Sequence, residues 1–277
     1  MLRWSLQEFQ RHLTVKRNTH DLALSIFSYN IARTLKTSDT LFILGSGASI
    51  NELTDADWRK VKSCDSMGLN FWLAHQFVPN FFMFEESSTP DRKEKFNQLL
   101  AQRLDDYQGV TFLYKDIERN GLNEYFKAAL AKRRFYVVNK IHMPIFGHTE
   151  HNIATKAYAY LQRLGLTKRP MFARGSITVA MAIGSLLGYK KIILLGVDLN
   201  NVDYFWDSYS EEQRINSGQP YTIHKTASTE YGPVTIIDAV HAMNRYLLQP
   251  QSIDLYIGSK SSALYPDLPY YFKETHD

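Results

Sequence analysis

KIILLGVDL, residues 191–199, is the stretch on which the fold turns. Four apolar side chains in a row, two of them β-branched, lead into a glycine and then an aspartate. An apolar run without polar alternation fits a strand covered on both faces, the habit of parallel sheets. Just upstream, FARGSITVAMAIGSLLGYK (172–190) opens on small and polar residues and continues at helical spacing, predicting a helix over 177–187 that packs on this strand. Further outward the pattern repeats. TLFILG (40–45), CDSMGLN (64–70), NFFMFEE (80–86), VTFLYKD (110–116), RFYVVNK (134–140) and SIDLYIGS (252–259) read as strands. Helices are expected over 91–107, 121–133, 153–164 and 234–248, with a short helical or irregular piece at 51–62. Repeated strand–helix alternation predicts a doubly wound α/β parallel sheet, with the first 38 residues forming helices packed on it.

The 277 residues are 44% hydrophobic and 22% charged, with one cysteine. That composition excludes disordered, collagenous and disulfide-scaffold classes, and Cys64 has no partner for an internal disulfide. No stretch approaches the roughly 18 apolar residues of a membrane span, and the opening MLRWSLQEFQRHL lacks the apolar core of a secretory signal, so a cytoplasmic location is expected. The charge of +4 is too small to imply nucleic acid, and Lys132-Arg133-Arg134 has no aromatic RNA-binding signature beside it. It is compatible with a phosphate-bearing substrate or an anionic lipid surface. Seventeen tyrosines and sixteen phenylalanines serve either a packed core or a site lined by rings.

Three constellations carry chemistry. Gly45-Ser46-Gly47-Ala48-Ser49 follows the 40–45 strand, where small residues permit a tight turn and bring N–H groups and hydroxyls near a ribose or phosphate. It is neither a dinucleotide fingerprint nor a P-loop, and a purely structural turn reads equally well. Arg174-Gly175-Ser176 opens the 177–187 helix, with Ser176 as N-cap and free N–H groups suited to an anion; ordinary capping beside a solvated arginine is the alternative. Gly196 and Asp198 end the best strand, where open α/β sheets bind ligands, and Asp198 either meets a ligand or anchors the loop. Residues 200–233 have little periodicity and read as a lid, with Tyr204 and Asp207 placed to cover a ligand. His224 stands there among Tyr221, Lys225 and Thr226, a setting for proton transfer near neutral pH. His241 reads as a packed or surface residue, and His148 with His151 lacks the partners of a metal site. Packing is the expected role of Tyr265, Tyr270 and Tyr271.

Taken together, LFILGSGASI, DSMGLNFW, FARGSITVAMAIGSLLGYKKIILLGVDL, YFWD and a loop histidine resemble the bacterial sialyltransferases of glycosyltransferase family 42. They are also similar to related Kdo-transferase-like proteins. The resemblance runs over about 40–260 and is dense only in 174–207. It implies a Rossmann-like sheet of the GT-A-like variant, in one domain over 1–277. It also implies an inverting, metal-independent transfer of a sialic acid, Kdo or related ulosonic acid from a CMP donor to a sugar hydroxyl of a surface glycan or glycolipid. In that frame Gly45, Ser46, Gly47 and Ser49 hold the nucleotide, and Asn70 approaches the donor phosphate. Ser176 approaches the donor carboxylate with Arg174 and Gly175 beside it. Glu85, Gly196, Asp198 and Asn200 complete the nucleotide- and donor-binding set, Tyr204 bonds the departing phosphate and His224 is the general base.

Three features depart from the family pattern. Asn200 replaces a tyrosine, and Ser46-Gly47-Ala48 stands where an asparagine and a proline are usual. Glu85 replaces an asparagine, where its charge would repel the donor carboxylate unless paired. The resemblance requires no metal or other cofactor and leaves open peripheral contact with the inner face of the cytoplasmic membrane and a homo-oligomer. Two other readings stand beside it. One is a Mg²⁺-dependent, pyrophosphokinase-like enzyme using Asp198, Asp203 and Asp207. The other is a catalytically inactive nucleotide-binding protein.

Overall fold

The computed structural model describes residues 2–87, 89–120, 122–143, 163, 169–200, 202–210, 215, 227 and 234–272. His148, His151 and His224 lie outside them, as do most of the helix expected over 153–164 and most of the lid expected over 200–233. Among the described residues there are ten strands: β1 Ser25–Ile26, β2 Thr40–Leu44, β3 Asp65–Leu69, β4 Phe81–Phe84, β5 Thr111–Tyr114, β6 Arg134–Val137, β7 Ile141–His142, β8 Met171–Phe172, β9 Lys191–Leu195 and β10 Asp254–Ile257. Eight of them make one sheet in the order β1-β6-β5-β4-β3-β2-β9-β10, and every neighbouring pair is parallel. From β2 the chain builds outward through β3, β4, β5 and β6, then returns to lay β9 on the other side of β2. The order therefore reverses between β2 and β9, and their carboxyl ends border the crevice where such sheets receive ligands.

The helices are α1 Leu2–Asp21, α2 Tyr29–Arg33, α3 Asp55–Lys62, α4 Pro90–Arg103, α5 Ile117–Asn120, α6 Glu124–Leu130, α7 Ser176–Leu187 and α8 Ile236–Met243. Strand periodicity sorts the core into two layers. Leu41 and Ile43 of β2 join Ile192 and Leu194 of β9 in a layer covered by α7 and α8. Phe42 and Leu44 join Ile193 and Leu195 in the opposite layer, with Phe96 of α4 and Phe126 of α6. The second layer absorbs much of the aromatic content: Phe84 stacks on Phe96 at 5.4 Å and meets Phe126 edge-on at 5.4 Å. Packing is thus the main use of these rings.

All seven strands expected from the sequence are present, each shorter at its ends. Differences lie where the sequence signal is short or the cap is strong. β1, missed within the N-terminal segment, pairs with the edge of β6 over two residues, too few to show a period. The two-residue pair β7–β8 was missed for the same reason. The last helix begins at Ile236, because Thr235 and Asp238 form a reciprocal capping box, and after Met243 it loosens into a π-turn over Asn244–Leu248. Tyr271 donates its N–H to the Ile257 carbonyl at 3.0 Å and its ring meets Phe42, and Tyr270 bridges to Ile257, so these two pack on the sheet while Tyr265 is exposed.

His75 follows the 3₁₀ turn Asn70–Ala74 and is wedged against Trp58 and Trp72 with ring centroids at 4.9 and 4.5 Å. Burial, reinforced by Arg103, pushes its pKa down to about 4 from an ordinary 6.5. The folded state therefore prefers the neutral ring, and its contribution is complete above about pH 6.5 and lost as the pH falls toward 4. Denaturant titrations at about pH 7 and about pH 4 should show a loss of about 3 kcal/mol traceable to this ring, and His75→Gln should remove that part of the pH dependence.

Candidate active site

The carboxyl ends of β2 and β9 are joined backbone to backbone. Gly45 donates its N–H to Leu195 O at 2.7 Å, and Gly47 donates to Gly196 O at 2.8 Å. Gly196 has φ +61°, and a Cβ there would stand 2.7 Å from Gly45 O; a Cβ on Gly45 would collide with Gly196 O. Glycine at 45 and 196 is therefore required for the strand ends to touch. The seam continues outward: Gly47 bridges to Tyr204, Ala48 donates to Asp203 O, and Phe205 donates to Ser46 O at 3.1 Å. Asp198 closes it, accepting Ser49 N at 3.0 Å and the Ser49 hydroxyl. Its carboxyl pKa is raised by burial, opposed by those bonds. The N–H groups of Gly45, Gly47, Ala48 and Ser49 are thus spent within the protein. Asp198 thus anchors the loop, and it also borders the crevice.

Above this seam lies a cavity of about 420 Å³. Gly45, Ser46, Gly47, Asn70, Glu85, Arg174, Gly175, Ser176, Gly196, Asp198 and Tyr204 all line it, so most of the residues singled out from the sequence converge. Ser49 stands behind Asp198, and Asn200 turns away to donate to Ser261 O at 2.6 Å. Helix α7 points its first turn at the cavity, with Gly175, Ser176 and Ile177 on the wall. Gly175 is the N-cap and makes no side-chain cap bond. The expected cap, Ser176, is the first helical residue, and its hydroxyl accepts the Asn70 amide at 3.2 Å. Asn70 and Arg174 both hold left-handed backbone, φ +51° and +70°, at the bends that bring them to the wall. Such strain in non-glycine residues gathers at ligand sites. The Asn70 carbonyl oxygen and the Trp206 indole N–H are buried there without partners among the described residues.

Tyr204 stacks on Trp206 with ring centroids 4.5 Å apart, and its N–H is held by Asp207 at 2.7 Å. Burial raises the Tyr204 pKa, with nearby Arg92 opposing, so the phenol keeps its proton and remains a donor at neutral pH. Asp207 therefore orders the Tyr204 turn and does not line the cavity.

Arg92, Lys115 and Arg119 also line the cavity and were missed from the sequence. Lys115 pairs with Glu85, because register places Phe84 opposite Tyr114 and the next residues of β4 and β5 meet. The Glu85 charge is thus matched by an ammonium that is 1% exposed. Behind it, Lys140 donates to Asp116 at 2.6 Å, to Glu118 and to the Lys115 carbonyl. Burial of Asp116 would raise its pKa, but Lys140 together with Lys115 and Arg119 outweighs this and holds it low. Strand-end position was the available signal for Lys115; Arg92, in the first turn of α4, offered none. Among the described residues, no group of three or more His, Cys, Asp or Glu side chains is placed to hold a metal ion.

No family model matches the chain, and no curated protein does. Solved structures similar to it include two sialyltransferases. One is the monofunctional alpha-2,3-sialyltransferase Cst-I from Campylobacter jejuni, at 16% identity, covering 89% of this chain and 82% of that one with a TM-score of 0.49. The other is an alpha-2,3-sialyltransferase from Campylobacter jejuni in apo form, also at 16% identity over 89% and 82%, with a TM-score of 0.41. At such identity neither likeness speaks to the substrate of this chain, which has to be read from the crevice.

Replacing Glu85 with alanine leaves the Lys115 ammonium buried without its carboxylate. Because Glu85 itself is about one-third exposed, the expected loss is about 1–3 kcal/mol in urea denaturation. Glu85→Gln, which keeps an accepting oxygen, should recover part of it.

Proposed function

We propose that the crevice binds a CMP-activated ulosonic acid and transfers the sugar, with inversion and without a metal, to a hydroxyl of a glycan or glycolipid. The observation that carries this reading is the convergence on one cavity of the α7 N-terminus, Arg174, Asn70 and the protonated Tyr204, opposite the Gly45–Ser46–Gly47 turn at the strand-order reversal. Helix N–H groups, a guanidinium and neutral donors suit a phosphate ester and a carboxylate in the same ligand. Pairing of Glu85 with Lys115 removes the repulsion that an unmatched carboxylate would impose on such a donor.

The chemistry needs one bond made and one broken. The acceptor oxygen attacks the anomeric carbon of the donor while the bond from that carbon to the phosphate oxygen breaks, its electron pair leaving with CMP. Tyr204, Asn70 and the first turn of α7 offer fixed donors to the charge that grows on the departing phosphate. The acceptor proton passes to His224, assigned from the sequence pattern alone, a step worth roughly 10²–10⁴-fold. The Mg²⁺-dependent alternative fits less well. Asp198 is tied to Ser49 and Asp207 to the Tyr204 turn, leaving only Asp203, exposed at the rim, of the three aspartates that reading requires.

Transfer should be measured with CMP-activated sialic acid and CMP-activated Kdo as parallel donors, with and without a chelator. Activity with either donor that survives chelation is expected. Asn70→Ala and Ser176→Ala should each lower kcat/KM by about 10–100-fold. His224→Ala should cost roughly 10²–10⁴-fold in kcat while CMP still raises the melting temperature. Strict dependence on a divalent ion would transfer the case to the pyrophosphokinase-like reading. CMP binding without turnover would favour the inactive nucleotide-binding protein.

A further inference from the structure

Helix α1 shows solvent an apolar face of its own. Leu6, Phe9 and Leu13 recur at helical spacing and are 58%, 59% and 48% exposed. At 100° per residue they fall within one narrow stripe, and the exposed Arg3, Lys16 and Arg17 flank it. Glu8, the one acid before the last residue of the helix, points the other way: it is 3% exposed, pairs with Arg11 and accepts the His142 N–H at 3.1 Å. The outward face therefore joins large apolar side chains to cations with no carboxylate among them until Asp21.

The helix is fixed to the carboxyl end of the sheet, where the crevice opens. Asn18 donates to the Ile117 carbonyl at 2.9 Å, and the Trp4 indole donates to His142 O at 3.2 Å. Ile117 begins the short helix α5, whose Arg119 lines the crevice.

We propose that α1 docks the protein on an anionic lipid surface, with Leu6, Phe9 and Leu13 entering the acyl boundary and Arg3, Lys16 and Arg17 meeting phosphate headgroups. A peripheral helix of this kind needs an apolar stripe and flanking cations, and both are here on one exposed face. A second copy of the chain suits the face less well, since a two-fold contact would set these same cations against one another without acids between them. Among the described residues no helix is long and apolar enough to span a bilayer, so the contact is a surface one. The inference does not depend on the transferase reading. Where both hold, the crevice works beside the membrane on a lipid-borne acceptor.

The test is co-sedimentation of the full chain with vesicles of phosphatidylcholine alone and of phosphatidylcholine mixed with phosphatidylglycerol, at low and high salt. Binding is expected only to the mixed vesicles and should weaken with salt. The combined Leu6→Ser, Phe9→Ser and Leu13→Ser variant should bind on the order of a hundredfold more weakly. The Arg3→Gln, Lys16→Gln and Arg17→Gln variant should lose roughly fivefold for each charge removed. All six side chains are exposed, so both variants should keep the wild-type melting temperature. Wild-type protein that ignores mixed vesicles, binds neutral ones equally, or binds unchanged in both variants overturns the inference. So does a wild-type dimer that the serine variant splits while vesicles are left unbound.

Discussion

The structure depends on how closely the ends of β2 and β9 approach. Two strands that leave the sheet in opposite topological directions normally diverge, and the gap between them becomes the ligand crevice. Here Gly45 and Gly196 let the backbones touch at the root of that gap, and the Ser49–Asp198 contact ties the next turn across it. The seam gives the crevice a rigid floor without using any of the α7 N-terminus, which stays turned toward the cavity. The glycines thus build the floor as well as bordering the cavity, and Asn70, Arg174 and the first turn of α7 line it too.

A second constraint is electrostatic. The carboxyl ends of β4, β5 and β6 carry Glu85, Lys115, Asp116 and Lys140, charges buried or half-buried at one end of the sheet. Such groups are tolerated when each finds its counter-charge with good geometry, and here each does. Beside that matched pair, the crevice wall carries the guanidiniums of Arg92, Arg119 and Arg174 together with the carboxyl groups of Asp198 and Asp203.

The central strands were legible because they are apolar runs that need no partner to be recognised, as in TLFIL and KIILL. The reversal between β2 and β9, and with it the meeting of Gly45 with Gly196, followed only from the pairing. Asn70, Ser176 and Tyr204, singled out through the motif resemblance, come together on the cavity wall. Lys115 was not singled out, because its role depends on the β4–β5 register that sets it against Glu85. Arg92 was not, because a basic residue in an amphipathic helix looks solvated until its neighbours are known; here its guanidinium lies 4.6 Å from the Phe71 ring. The purpose of Asp198 was left open by the sequence, since loop anchoring and ligand contact call for the same residue at a strand end.

The central claim is that the wall made by Asn70, Arg174 and the start of α7 receives the phosphate of a cytidine nucleotide above the glycine seam. A crystal structure of the protein with CMP tests it most directly. The account predicts the phosphate within hydrogen-bond distance of the Ser176 N–H or hydroxyl and of the Asn70 side chain, with the Gly45–Gly196 contact unchanged beneath it. A nucleotide bound elsewhere, or a phosphate held by Asp198 and Asp203 through a divalent ion, would contradict it.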